Sequence, residues 1–152
     1  MAITYTTGST ELLDAVGPLW EKLNAHHAER SSHFASHYAD RTYIERKSGL
    51  LAIAQTATMR VELAKVSETG QAIAYCISSV TEDAGEIESI YVEVTYRGQG
   101  IGDTLMRHAL DWLDRHNVST RRVVVAVGNE QAFGFYARYG FHPRYIILRQ
   151  GE

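Results

Sequence analysis

Three glycines alternate along one short stretch of the chain, at Gly98, Gly100 and Gly102, and Arg97 stands immediately before them. Glycine has no Cβ, so main-chain N–H groups in such a loop can approach a ligand directly. The pattern after the loop predicts a helix, whose first N–H groups lack partners and carry partial positive charge. The stretch predicts an anion site for a phosphate or pyrophosphate. The alternative is a turn that binds nothing, but one or two glycines would suffice for that.

Two familiar phosphate-binding motifs do not fit this loop. A Walker loop needs Lys and then Ser or Thr after its last glycine, whereas Asp103 and Thr104 follow Gly102. The dinucleotide fingerprint needs a glycine where Asp103 stands, and the acidic residue expected about 20 residues later is absent. A nucleotide-binding domain is therefore the least favoured interpretation.

The elements that must position the loop follow from the hydrophobic pattern. Alternating or continuous apolar runs predict strands at residues 3–7, 60–66, 72–80, 86–94, 121–127 and 144–148. Helical spacing predicts helices from Ser9 or Thr10 onward, over residues 43–57, from residue 100 or 101 to 116, and over a short segment capped by Asn129 and closed by Gly140.

Two of these strands have predictable places in a sheet. The strand at residues 72–80 is apolar on both faces, so it should be central. The strand, loop, helix and strand from residue 86 to 127 form a crossover unit, so the two strands should be parallel. The pattern predicts an α/β layered domain with a mixed, mostly antiparallel sheet.

Composition limits the class of protein. A chain of 152 residues with 45% hydrophobic and 22% charged residues fits one soluble domain, residues 1–152. A net charge of −3 argues against a nucleic-acid module. Apolar runs are too short for a membrane span, and the start has no leader pattern. Cys76 is the single cysteine, which suits a reducing cytoplasm.

Two motifs together resemble the GNAT superfamily of N-acetyltransferases. Residues 97–102, "RGQGIG", match the family's Arg/Gln-x-x-Gly-x-Gly/Ala signature, and residues 129–141, "NEQAFGFYARYGF", match its Asn-x-x-Ala-x-x-x-Tyr-x-x-x-Gly-Phe segment. The order of elements also matches over nearly the whole chain. The resemblance implies a sheet of six to seven strands with a splayed parallel pair, flanked by about four helices.

The resemblance also implies a cosubstrate, acetyl-CoA, and its site. The strand before the loop would carry a bulge and offer main-chain groups to the pantetheine arm, while the loop would surround the pyrophosphate. Asp103 would act mainly as a charge at the helix N-terminus, and Asn129 would cap the short helix and contact the cofactor arm. The implied cofactor-binding residues are Ile90, Tyr91, Val92, Arg97, Gly98, Gln99, Gly100, Ile101, Gly102, Asp103, Asn129 and Tyr136.

The resemblance implies direct attack of an amine on the acetyl thioester. A main-chain N–H near Val92 would stabilise the oxyanion. Tyr136 would protonate the leaving thiolate, since a phenol with a pKa of about 10 keeps its proton, although aromatic packing alone explains a tyrosine there. Glu88 is the first candidate for the base that takes the proton of the acceptor ammonium, and Glu86 is the second. A solvated strand face explains the two glutamates equally well. In some family members solvent takes this proton instead.

The acceptor is less well defined by the sequence. The first helices wall the acceptor site in the family, so His33, His37, Tyr38 and Asp40 are candidates for contact with a small amine or a peptide amine. The spacing of His33 and His37 could also hold a metal, but no further ligands complete a set, and we expect none. We expect a cytoplasmic acetyltransferase, monomeric or homodimeric, with an acyl-CoA-binding sensor as the alternative.

Overall fold

The computed structural model describes residues 1–151. The chain forms five strands and five α-helices in the order β1 (Ile3–Gly8), α1 (Leu13–Arg30), α2 (Ala35–Asp40), α3 (Tyr43–Ala54), β2 (Thr58–Val66), β3 (Ala72–Thr81), β4 (Ala84–Val92), α4 (Ile101–Arg115), β5 (Thr120–Val123) and α5 (Ala132–Ala137). Short 3-10 turns precede α1 and follow β4. Within residues 1–151, no helix is both long and apolar enough to span a membrane.

The strands form one mixed sheet in the order β1-β2-β3-β4-β5. The first four are antiparallel neighbours, while β5 runs parallel to β4 because α4 carries the chain back across the sheet. The predicted central position of β3 and the predicted parallel pair are both confirmed. The layered α/β class is confirmed as well.

The two faces of the sheet have separate cores. On one, called the α1 face, α1 and α3 pack on alternate residues of the strands, including Leu63, Tyr75 and Ile77. On the other, called the α4 face, the apolar stripe of α4 packs on the intervening residues, together with side chains of α5. The stripe consists of Ile101, Leu105, Met106, Ala109 and Leu113, each at most 3% exposed. This burial is what fixes α4, and hence the loop at its start.

The predicted strand count is wrong: the sheet has five strands, not six or seven. The run at residues 121–127 pairs only as far as Val123, and Val124 and Val127 are 72% and 73% exposed. Residues 144–148 form no strand. A β-branched run has strand propensity, but a strand also needs a hydrogen-bonding neighbour, which these residues lack here.

The end of α5 agrees with its prediction, whereas its start does not. Gly140 has φ of 85°, its N–H donates to Ala137 O, and Phe141 N–H donates to Tyr136 O. This Schellman pattern confirms Gly140 as the residue that closes the helix. Asn129 was predicted as the N-cap, but the helix begins at residue 132 after Gln131, with no side-chain cap bond.

Candidate active site

Strand β4 has an open edge. It pairs with β5 only from Ala84 to Ile87, because β5 ends at Val123, while β4 continues to Val92. The five residues from Glu88 to Val92, here called the open edge, therefore have no strand beside them on the β5 side. An unpaired strand edge of this kind can take an extended ligand as an additional strand.

Main-chain alternation decides which residues the open edge offers. Glu93 N–H donates to Ile73 O on β3, and neighbouring strand residues direct their main-chain groups to opposite sides. Ile90 and Val92 therefore direct theirs away from β3, towards the open side. Tyr91, two residues before Glu93, directs its main chain towards β3 by the same alternation. Of the three predicted pantetheine contacts, Ile90 and Val92 have the suitable orientation and Tyr91 does not.

Arg97 lies at the end of the open edge. Its Nε–H donates to Val92 O at 2.8 Å, and its guanidinium lies 5.3 Å from the centre of the Tyr91 ring. Arg97 is exposed, so its two Nη groups face solvent. The Nη groups of Arg97 are thus available to an anion at the junction between the open edge and the glycine loop.

The glycine loop has the backbone that only glycine adopts easily. Gly98 and Gly100 have φ of 77° and 83°, and a Cβ at either position would meet no atom within 4 Å. Gly100 is the N-cap of α4, so the first N–H groups of the helix face this open space. Gly102 differs, because a Cβ there would lie in ordinary van der Waals contact with Phe135, at 3.4 Å, so this position faces α5 and not the open space.

The other residues of the motif divide between main-chain and side-chain roles. Ile101 is 3% exposed and belongs to the core, which leaves only its main chain for a ligand, while Gln99 is exposed. Asp103 accepts hydrogen bonds from Tyr139 Oη and, at 2.8 Å, from Arg107 Nε. These two bonds hold the pKa of Asp103 below its ordinary value. Asp103 thus anchors α5 to α4, as an ionised residue in the first helical turn.

A groove continues from the glycine loop along the outside of α4. It has a volume of about 620 Å³ and is lined by Gly100, Asp103, Arg107, Leu110, Asp111, Arg138 and Tyr139. The Arg138 guanidinium lies 5.2 Å from the centre of the Phe135 ring and 5.6 Å from that of Tyr139. The groove therefore combines two arginines and two aspartates with an aromatic wall, next to the N-terminus of the helix, and Arg107 is ion-paired with Asp103.

Glu88 is the extra residue of a β-bulge. The register between β3 and β4 shifts between Ile77 and Ser78, which pair with Ser89 and Ile87 and leave Glu88 unpaired. The Ser79 hydroxyl donates to the Glu88 carboxylate at 2.6 Å, and Arg46 Nη2 donates to Glu88 O at 3.1 Å. Burial raises the pKa of Glu88, and the bond from Ser79 opposes that rise.

Glu86 is differently placed. Its carboxylate accepts from Arg122 Nε at 2.8 Å, across the parallel pair. The negative charge of Glu86 adds to the rise in the pKa of Glu88, so the two carboxylates are electrostatic neighbours, as the spacing predicts. The Glu86 carboxylate is thus held in an ion pair with Arg122.

Tyr136 lies on the opposite face of the sheet. Its ring packs against the α4-face core, in the cluster that contains Cys76, Ile90 and Val92. Burial raises the pKa of Tyr136 to about 12, with a smaller contribution from the Cys76 thiol. The phenol is therefore protonated at neutral pH. The open edge thus has a carboxylate with a raised pKa on its α1 face and a phenol on its α4 face.

Asn129 contacts α1 instead of capping α5. Its Oδ1 lies 3.3 Å from His26 Nε2, and Gln131 Nε2 lies 3.3 Å from the same nitrogen. A Cβ on Gly128 would lie 2.4 Å from Arg30 O, so this loop packs closely on the end of α1. The contacts join the start of α5 to the wall formed by the first helix.

The predicted acceptor residues gather around α2. His33, His37 and Asp40 are exposed, while the half-buried Tyr38 ring lies 5.5 Å from His27. Asn24 Nδ2 donates to Tyr38 O at 2.6 Å, which fixes α2 on α1. Among the residues that the structure describes, no three histidine, cysteine or carboxylate side chains are arranged as a metal site.

Sequence reasoning did not find Ser79, Arg46, His26 or Tyr139. Three of them contact a partner far away in sequence, with 36 residues between Tyr139 and Asp103 and 42 between Arg46 and Glu88. Ser79 is nine residues from Glu88 but lies on the neighbouring strand. Periodicity describes only neighbours along the chain, so no local pattern identifies these pairs.

The acetyltransferase (GNAT) family matches residues 20–141, most of the chain. The protein therefore belongs to this family, which confirms the resemblance carried by the two motifs. The match also covers the open edge, the glycine loop and α5.

The relatives and solved structures agree with this assignment. The Escherichia coli (strain K12) [ribosomal protein bS18]-alanine N-acetyltransferase is 29% identical over 82 residues, which cover 54% of this chain and 55% of the relative. The match thus spans about half the length of that curated relative. A GCN5-related N-acetyltransferase from Ralstonia eutropha has the same fold, with a TM-score of 0.76 at 19% identity and 98% coverage of both chains. PaiA N-acetyltransferase from Thermoplasma acidophilum, solved with coenzyme A, has a TM-score of 0.71 at 18% identity, covering 93% of this chain and 91% of its own.

Proposed function

We propose that the protein is an N-acetyltransferase that moves the acetyl group of acetyl-CoA to a primary amine in a ternary complex. One observation supports this most directly: the open edge of β4 ends beside the exposed N–H groups of the glycine loop. In acetyl-CoA, an extended arm with amide groups is attached to a pyrophosphate. The amides can pair with the open edge, and the pyrophosphate can accept hydrogen bonds from the glycine loop.

The chain offers a group for each part of acetyl-CoA. The main-chain groups of Ile90 and Val92 would pair with the pantetheine arm. The loop N–H groups of residues 98–102 and the Nη groups of Arg97 would hold the pyrophosphate. The groove of about 620 Å³ beside Gly100, with Arg107 and Arg138, would hold the nucleotide. This arrangement would place the thioester near the bulge at Glu88.

The proposed reaction forms one C–N bond and breaks one C–S bond. The acceptor ammonium gives a proton to Glu88, directly or through a water, and the free amine attacks the thioester carbon. A main-chain N–H of the open edge stabilises the oxyanion, and Tyr136 donates its proton to the departing thiolate of coenzyme A. The second proton that leaves the attacking nitrogen restores the Tyr136 phenol. The raised pKa of Glu88 suits the first step, and the pKa of about 12 at Tyr136 keeps the phenol protonated until the last.

Ser79→Ala should move the pH dependence of turnover. The Ser79 hydroxyl stabilises the ionised Glu88 carboxylate, so its loss should raise the pKa of Glu88 further. Activity needs the deprotonated base, so kcat/KM should reach half its maximum at a higher pH than in the wild type. The pH profile of thiol release measures this shift.

Ser78→Ala is the matched control, because Ser78 lies on the same strand, where its hydroxyl contacts Cys76 Sγ at 3.8 Å and not Glu88. It should leave the acid limb of the pH profile in place. An unchanged limb in Ser79→Ala would remove Glu88 as the base.

The acceptor proposal begins with the relatives. Those from E. coli are alanine N-acetyltransferases of a ribosomal protein, so a peptide with an N-terminal alanine is the first acceptor to test. A thiol-release screen should compare this peptide with its N-terminally blocked form, an aminoglycoside and a small diamine. Release that needs a free amine supports the proposal. Binding of acetyl-CoA without release by any amine would favour the acyl-CoA sensor.

A further inference from the structure

A second pocket lies at the β1–β2 side of the sheet, on the α4 face and away from the open edge. Its volume is about 320 Å³, near the lower end for small-molecule sites. Strand β1 contributes Tyr5 and Thr7, strand β2 contributes Arg60 and Glu62, and the second half of α4 covers it. The proposed acetyl transfer uses none of the four strand residues, although Asp111 of α4 lines both this pocket and the groove beside the glycine loop.

Glu62 is the centre of a buried ionic cluster. Its side chain is 2% exposed, and its carboxylate lies 3.3 Å from Arg60 Nη2 and 2.8 Å from His108 Nδ1. Thr7 Oγ1 also donates to it, at 3.3 Å. The charge of Glu62 is therefore shared among three protein partners, which leaves it little capacity for a fourth.

Arg60 is not satisfied in the same way. Its side chain is 9% exposed and lines the pocket, yet its Nη1 group is buried with no hydrogen-bond acceptor among residues 1–151. A buried, unsatisfied donor on a cation is unfavourable unless another group supplies the acceptor. The missing partner is an oxygen acceptor, and an anionic oxygen would be the strongest.

A second guanidinium, that of Arg115, lines the same pocket. Arg115 is exposed and forms no ion pair with any residue in the described part of the chain. Asp111 also lines the pocket, and its negative charge would oppose a dense anion more than a delocalised one. Two arginine side chains suit a carboxylate ligand, because the planar guanidinium can donate two parallel hydrogen bonds to a carboxylate.

We propose that this pocket binds a small organic acid, with carboxylate oxygens on Arg60 and Arg115 and a hydroxyl contact from Tyr5. The inference stands apart from the proposed acetyl transfer, because it rests on no residue of the open edge or the glycine loop. Inorganic phosphate also carries anionic oxygens, so its affinity has to be compared with that of an organic acid.

The proposal is tested by calorimetric titration of the full chain at constant ionic strength. One titration uses succinate and another uses inorganic phosphate. Succinate should bind saturably, and Arg115→Ala should weaken its binding by at least about tenfold. Arg144→Ala removes the same charge from an exposed position outside the pocket and should have no effect. In NMR spectra, the Arg60 Nε–H and His108 ring signals should move with saturation.

Three outcomes would overturn the proposal: no saturable succinate binding to the wild type, equal loss of binding in Arg115→Ala and Arg144→Ala, or tighter binding of phosphate than of succinate. Arg60→Met would leave Glu62 short of a partner and could unfold the chain. The exposed Arg115 therefore carries the test, and the NMR signals of the wild type report on Arg60 without a substitution.

Discussion

Tyr136→Phe should lower kcat by about 100- to 1000-fold while acetyl-CoA affinity stays within about threefold of the wild type. The change removes one hydroxyl from a partly buried ring whose packing on the α4 face is otherwise retained. That hydroxyl is the proposed proton donor to the leaving thiolate. Steady-state thiol release gives kcat, and calorimetry gives the affinity.

The control for this prediction is Tyr139→Phe, three residues further along, in the turn that follows α5. Tyr139 donates to Asp103 and anchors α5 on α4, so its loss should reduce stability more than turnover. If Tyr136→Phe instead keeps more than about a third of the wild-type kcat across the pH range, Tyr136 is a packing residue. Solvent would then protonate the thiolate.

Gly100→Val should weaken acetyl-CoA binding by about 100-fold. Gly100 has φ of 83° at the N-cap of α4, a conformation that a β-branched residue strongly disfavours. Its Cβ would meet no protein atom within 4 Å, so the side chain would project into the space where the phosphate is proposed to lie. Calorimetric titration of the variant with acetyl-CoA measures the loss.

Gly70→Val is a closely matched control. Gly70 has φ of 72° in the β2–β3 hairpin, and a Cβ there also meets nothing within 4 Å. Both variants should lose about 1–3 kcal/mol of unfolding free energy through backbone strain. Only Gly100→Val should lose acetyl-CoA affinity. Equal affinities in the two variants would show that strain, and not the loop, accounts for any effect on binding.

Local patterns predicted the parts of this protein that local chemistry determines. The glycine loop and α4 follow from residue types within one stretch, and Gly140 closes α5 because a left-handed residue is needed there. The apolar run of β3 predicted its central place. The two motifs then predicted the family that the match over residues 20–141 confirms.

Tertiary pairing determines the features that the sequence did not predict. The run after Val123 has the composition of a strand, yet β4 bulges at Glu88 and no longer pairs with β5 there. The sheet therefore stops at five strands, and residues 144–148 stay outside it. The same bulge brings Ser79 to the Glu88 carboxylate, a contact that no periodicity reveals.

The measurement that tests the central claim most directly is a calorimetric titration of the wild-type protein with acetyl-CoA. The account predicts one saturable site with a dissociation constant in the range of about 1 µM to 1 mM, which covers typical substrate affinities. The proposed contacts of the open edge and the glycine loop both act on this one ligand. No binding at millimolar acetyl-CoA would contradict the account.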